Sequence, residues 1–81
     1  MELKDTIALM SSSDYKDRLR AEYYQTKIRY DKLHKMVTKY EADTLDFEPT
    51  CSLELLKEQE SYMYKYLCTL EVRAEIEGVK L

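Results

Sequence analysis

One glycine, Gly78, and one proline, Pro49, stand in a chain of 81 residues. Hairpin turns and bulges draw on the positive φ that glycine tolerates and the fixed φ of proline. A β-rich chain would have almost nothing here to turn with. The reading is all-α: few connections and long helices. The chain is 44% hydrophobic and 36% charged, enough apolar surface for a core and enough charge to keep the remaining faces in water. Its length allows one small domain or one part of an assembly, and excludes a multi-domain enzyme. No apolar run approaches the roughly 18–20 residues that cross a bilayer, and no cleavable signal is legible at Met1. The expected location is the cytosol, with no membrane partner.

Residues 1–13 read as an N-terminal arm or short helix, apolar at Leu3, Ile7 and Met10, and residues 14–81 as a helical hairpin domain. Ser11, Ser12 and Ser13 interrupt the arm. Serine oxygens accept from the free N–H groups of a helix start, and Asp14 and Asp17 complement its positive end. A long helix then runs from about Asp14 to about Glu41. The segment from Ala42 to Ser52 holds the proline and forms the connection, with Leu45 and Phe47 expected to fold back onto the bundle. Ser52 or Thr50 caps a second, antiparallel helix, which ends at Gly78.

Both long helices are apolar on more than one face. Tyr15, Leu19, Tyr23, Thr26, Tyr30, Leu33, Val37 and Tyr40 recur at helical spacing, with Ala21, Tyr24 and Ile28 on another side. In the second helix Leu56, Met63, Tyr66, Leu67, Leu70 and Ala74 form the main stripe; Tyr64, Cys68, Val72 and Ile76 lie roughly opposite. A hairpin buries one stripe of each helix against the other. The second stripes ask for another partner, and self-association into a homo-oligomer is the economical one.

Charge is segregated. Residues 16–39 carry a net +5 and residues 40–81 a net −6. An acidic chain is a poor binder of duplex nucleic acid, because non-specific affinity rests on neutralising phosphates. The basic stretch can still receive a compact anion, or it can pair with the acidic helix within or between chains. No catalytic constellation assembles: there is no HExxH pair, Gly-rich phosphate loop, GxSxG elbow or CxxC. No metal site or cofactor is expected either. His34 is the only histidine, and it reads as a partly exposed helix residue more readily than as a stacking ligand. Cys51 and Cys68 read as free thiols.

Eight tyrosines against one Phe and no Trp suit half-wet seams and base platforms, since the ring is apolar and its tip polar. Tyr15 stands out in the first turn of the long helix, with Arg18 and Arg29 on its edge, Lys27 on the opposite edge of the stripe and Lys32 behind Arg29. Long cations beside an aromatic at a subunit seam suit a ligand with flat bases and phosphates. The same cations could equally bridge to the acidic helix.

With Tyr15, Arg18, Glu22 and Lys32-Leu33 in the first helix and Gln59, Met63, Tyr66, Leu70 and Arg73 in the second, the chain resembles a family of small phage proteins that includes the anti-CBASS cyclic-oligonucleotide sponges. The resemblance covers roughly residues 14–77. It implies a compact helical homohexamer that sequesters cyclic dinucleotides, and in some cases trinucleotides, without cleaving them, in the bacterial host cytosol. It implies that Tyr15 stacks on a base, and that one or more of Lys27, Arg29 and Lys32 meets phosphate beside Arg18. The acidic connection from Leu45 to Cys51 has no counterpart in those sponges. The alternative reading is a small helical oligomer that holds a host or phage protein partner.

Overall fold

A computed structural model describes residues 1–81 as an all-α chain. A 3₁₀ turn at Leu3–Thr6 leads into α1, Ile7–Met10; α2 spans Tyr15–Glu41 and α3 spans Leu53–Glu77. The molecule measures 43 × 24 × 16 Å, and its length is that of α2, about 40 Å at 1.5 Å per residue.

The helix ends follow the capping chemistry. Asp14 is the N-cap of α2 and accepts from the backbone N–H of Lys16 at 2.9 Å, while its own N–H donates to Ser12 Oγ at 3.0 Å. Ser52, not Thr50, caps α3, accepting from Leu55 N–H at 3.2 Å. Gly78 closes α3 at φ 66°, and the Val79 N–H turns back to the Ala74 carbonyl at 2.8 Å. At the end of α2 a non-glycine residue, Asp43, takes the same left-handed conformation at φ 59°, with Thr44 N–H donating to the Lys39 carbonyl at 2.9 Å.

The two long helices are antiparallel. Paired side chains step outward from the linker: Glu41 with Lys57, His34 with Glu60, Tyr23 with Glu71 and Tyr15 with Arg73. Leu19, Val37, Leu56, Leu67, Leu70 and Ala74 are buried along this seam. Past Gly78 the chain lays Val79 onto Leu19, Leu70 and Ala74, with Tyr23 packed against them. This core sits at the end of the hairpin away from the linker and holds the Tyr15 end of α2 in place. Truncating Leu70, 1% exposed, to alanine would cost about 2–5 kcal/mol in lost transfer energy and cavity.

Three expectations change. The second stripe of α2 is not wholly spare: the N-terminal arm packs on α2, with Met10 Sδ within 3.2 Å of Gln25 Nε2, and Ala21 is buried. Thr6 anchors that arm, fully buried, with its hydroxyl donating to the Leu3 carbonyl at 2.7 Å. Ile7 and Met10, which share the apolar spacing, remain exposed. Phe47 does not fold back; it is 56% exposed, while Leu45 is half-buried. Tyr66, assigned to the main stripe of α3, is exposed instead.

Candidate ligand-binding site

Tyr15 is the first residue of α2, set there by the Asp14 cap. The residue is 45% exposed, but its hydroxyl is tied across the seam. The Arg73 guanidinium of α3 donates to it, and Arg73 Nε donates to Glu77 Oε2 at 3.1 Å. The Glu77 carboxylate holds the Tyr15 phenol above its ordinary range, helped by partial desolvation and opposed by the Arg73 charge. Hydrogen bonds from Tyr15 and Arg73 hold Glu77 below the usual carboxylate range. The aromatic is therefore positioned by a charged network that leaves part of its ring open to a ligand.

Arg18 turns back along the helix start, donating through Nη1 to the Ser12 carbonyl at 2.9 Å. Arg20 pins the C-terminal tail through the Lys80 carbonyl at 2.9 Å and pairs with Asp17 at 3.0 Å. The Tyr15 end of the hairpin thus gathers Arg18, Arg20 and Arg73, with Asp17 and Glu77 beside them. Arg18 keeps further N–H groups for an anion, since a guanidinium has five donors.

The remaining cations lie elsewhere. Lys27, Arg29 and Lys32 follow Tyr15 by twelve to seventeen residues, about 18–26 Å along the helix. Lys27 is paired with Asp31 at 3.0 Å and sits 5.7 Å from the Tyr30 ring centroid. Arg29 and Lys32 are exposed and make no ion pair within the chain. One chain therefore brings Tyr15 together with Arg18 and not with the other three. A compact ligand can meet both groups only where a second copy presents its α2 to the first.

Arg73 is the neighbour of Tyr15 that charge and spacing in α2 could not identify. It stands in the resemblance pattern, four residues before Glu77. Its approach to Tyr15 depends on the antiparallel register of two segments 58 positions apart. No group of three or more His, Cys, Asp and Glu side chains is placed to hold a metal ion, and no helix is long and apolar enough to cross a membrane. Both cysteines are free, Cys51 exposed and Cys68 half-buried.

No curated protein and no solved structure matches the chain. A family model described as Sequestin matches residues 13–76, which take in α2, the linker and nearly all of α3. With nearly the whole hairpin inside that match, the chain belongs to the Sequestin family, phage proteins that sequester signalling molecules.

Proposed function

We propose that the protein sequesters a small anionic nucleotide signal, a cyclic dinucleotide or trinucleotide of CBASS-type defence in the leading reading, at seams between copies of itself. The role is binding without turnover, and it lowers the free signal below what an immune effector needs. One observation carries the reading: α2 holds a half-exposed aromatic beside Arg18 and Arg73 at one end, and unpaired Arg29 and Lys32 about 20–26 Å away. Two copies related by a two-fold would supply each half-site to the other, so that one ligand meets stacking rings and cations from both sides. A homo-oligomer, a hexamer in this reading, follows from the same need.

Calorimetry against a panel of cyclic di- and trinucleotides tests it. Tyr15→Ala removes a stacked ring worth about 1–3 kcal/mol per base, which is tenfold to several-hundredfold or more in affinity when both copies are lost. Tyr15→Phe keeps the ring and drops only the tie to Arg73, so binding should stay within a few-fold. Charge reversal at Arg29 or Lys32 should harm binding at least as much as Tyr15→Ala if that side chain meets phosphate. Recovered ligand should be chemically intact. If no member of the panel binds below roughly 100 μM, about −5.5 kcal/mol, the reading fails. The exposed Leu55, Tyr62, Val72 and Ile76 on α3 then favour the second reading, a helical partner for a host or phage protein.

A further inference from the structure

The outward side of α3 carries a stripe that neither the core nor the Tyr15 end uses. Leu55, Tyr62, Thr69 and Ile76 recur every seventh residue, and Glu58, Lys65 and Val72 stand three further on. All are exposed, the apolar ones by more than half. Alternating steps of three and four are the spacing of a coiled-coil seam, which faces a second helix. The stripe runs about 32 Å along α3. By helical spacing it lies opposite the buried row Leu56, Leu67, Leu70 and Ala74, so it points away from α2.

Two charges interrupt the stripe, and they select what covers it. Glu58 has no ion pair within the chain and accepts only from the Tyr62 hydroxyl, at 3.0 Å. Lys65 has no ion pair either. The two stand about 10 Å apart along the helix, too far to satisfy each other. If two copies of α3 paired in parallel about a two-fold, Glu58 would face Glu58 and Lys65 would face Lys65, like charges in a closing seam. An antiparallel two-fold between Met63 and Tyr64 removes both clashes. Leu55 then meets Val72 of the second copy, Tyr62 lays its ring along the Lys65 stem, and Glu58 lies within a turn of the Lys65 ammonium. The same helix thus supplies the complement of each group between Leu55 and Val72, which is the property of a two-fold interface. At the rim Glu54 approaches Glu75, and both are exposed, where water and salt screen them.

We infer that the back of α3 is an antiparallel two-fold seam with a second copy of this chain, its register set by Glu58 and Lys65. The inference shares with the reading above only the association of copies, and it needs no ligand.

Crosslinking reads the register. In a Cys51→Ser, Cys68→Ser background, Leu55→Cys and Val72→Cys are made singly. Mild oxidation of the two chains, mixed and equilibrated, should give a covalent dimer on a non-reducing gel, because position 55 of one copy meets position 72 of the other. Each chain alone should stay uncrosslinked. Self-crosslinking of each alone at the yield of the mixture means a parallel seam and overturns the inference, as does a mixture that gives no covalent dimer.

Charge reversal reads the pairing. Lys65→Glu and Glu58→Lys should each weaken association, measured by sedimentation, at least about tenfold, since each places like charges together. The chain carrying both should return to within about threefold of wild type. That rescue is between copies, because the two side chains do not meet within one. Singles as strong as wild type, or a double variant as weak as the singles, overturn the inference. The seam and the signal-sequestration reading fail separately. An oligomer that persists without the 55–72 crosslink removes the seam and leaves sharing through α2, whereas a crosslinked seam stands whether or not the cyclic panel binds.

Discussion

Tyr23 shows how a residue of ordinary helical spacing becomes a structural contact. Its ring closes the Leu19–Leu70–Ala74–Val79 core, and its hydroxyl donates to Glu71 Oε2 at 3.0 Å. Burial, and then the hydrogen bond to Glu71, push the phenol up to about 12. A group whose folded value lies above its unfolded one stabilises the fold fully below the unfolded value, here 10.0, and that contribution is lost as pH rises towards 12. Urea midpoints should therefore fall more steeply above pH 10 in the wild-type chain than in Tyr23→Phe, which has no such proton to lose. Identical alkaline limbs would contradict the assignment. Glu77 behaves oppositely. Its lowered value contributes stability above the ordinary carboxylate range and loses it on acidification, so Glu77→Gln should flatten the acid limb. Both residues sit near the Tyr15 end, so pH at either extreme should loosen the aromatic before it unfolds α2.

At the scale of the element, the ends of α2 and α3 differ in one instructive way. Gly78 adopts its positive φ with no Cβ to clash, whereas Asp43 adopts nearly the same conformation with one. The left-handed region costs a side chain about 1–2 kcal/mol, and aspartate is among the few residues that enter it with local hydrogen bonding. Asp43→Gly should be neutral or stabilising by up to about 1 kcal/mol, and Asp43→Val destabilising by about 1 kcal/mol or more. Chemical denaturation of the two variants checks this; a valine variant as stable as wild type would mean that the linker reforms around another turn. The linker tolerates such changes in another sense, since Phe47 stands out of the core and lines a shallow cleft with Tyr40, Leu45 and Pro49.

The whole molecule is incompletely buried. Its accessible surface is 5913 Å², against about 5,100 Å² for a monomer of this mass from surface scaling. The excess has a location. Leu55, Tyr62, Tyr64, Val72 and Ile76 of α3 are each more than half exposed, whereas Ala21, Tyr24 and Ile28 of α2 are buried or half-buried. Self-association should therefore bury this face of α3 as well as the α2 edge that the shared site needs. Tyr64→Glu with Val72→Glu should lower the mass seen by light scattering at tens of micromolar, roughly where a specific interface of micromolar or better affinity persists, because unpaired charge is costly in a closed seam. A wild-type chain that is well folded and monomeric at that concentration would defeat both the oligomer and the shared site built on it. Replacing Cys51 and Cys68 by serine should leave that mass unchanged, since both thiols are free.

The helices are legible in the sequence because local physics decides them. The lack of glycine and proline, the apolar period, the Asp14 and Ser52 caps and the Gly78 stop each act within a turn or two of the residue concerned. The prominence of Tyr15 is legible for the same reason, since it follows from the residue's place in the first turn of α2. Whether an apolar stripe is buried, however, depends on what arrives from far along the chain. Periodicity marks Ala21, Tyr24 and Ile28 as a face without saying that the arm packs on α2, and it places Tyr66 inside when it is exposed; Phe47, expected to fold back from the linker, is exposed too. The tie from Arg73 to Tyr15, the contact of His34 with Glu60 and the orphaned oxygen beside it are products of antiparallel register. A shift of one turn, about 5.4 Å, would dissolve all three without altering either helix. Sequence alone determined the elements and their ends; only the packing of α3 on α2 decided which side chains meet, because that choice rests on contacts between residues 26 to 58 positions apart.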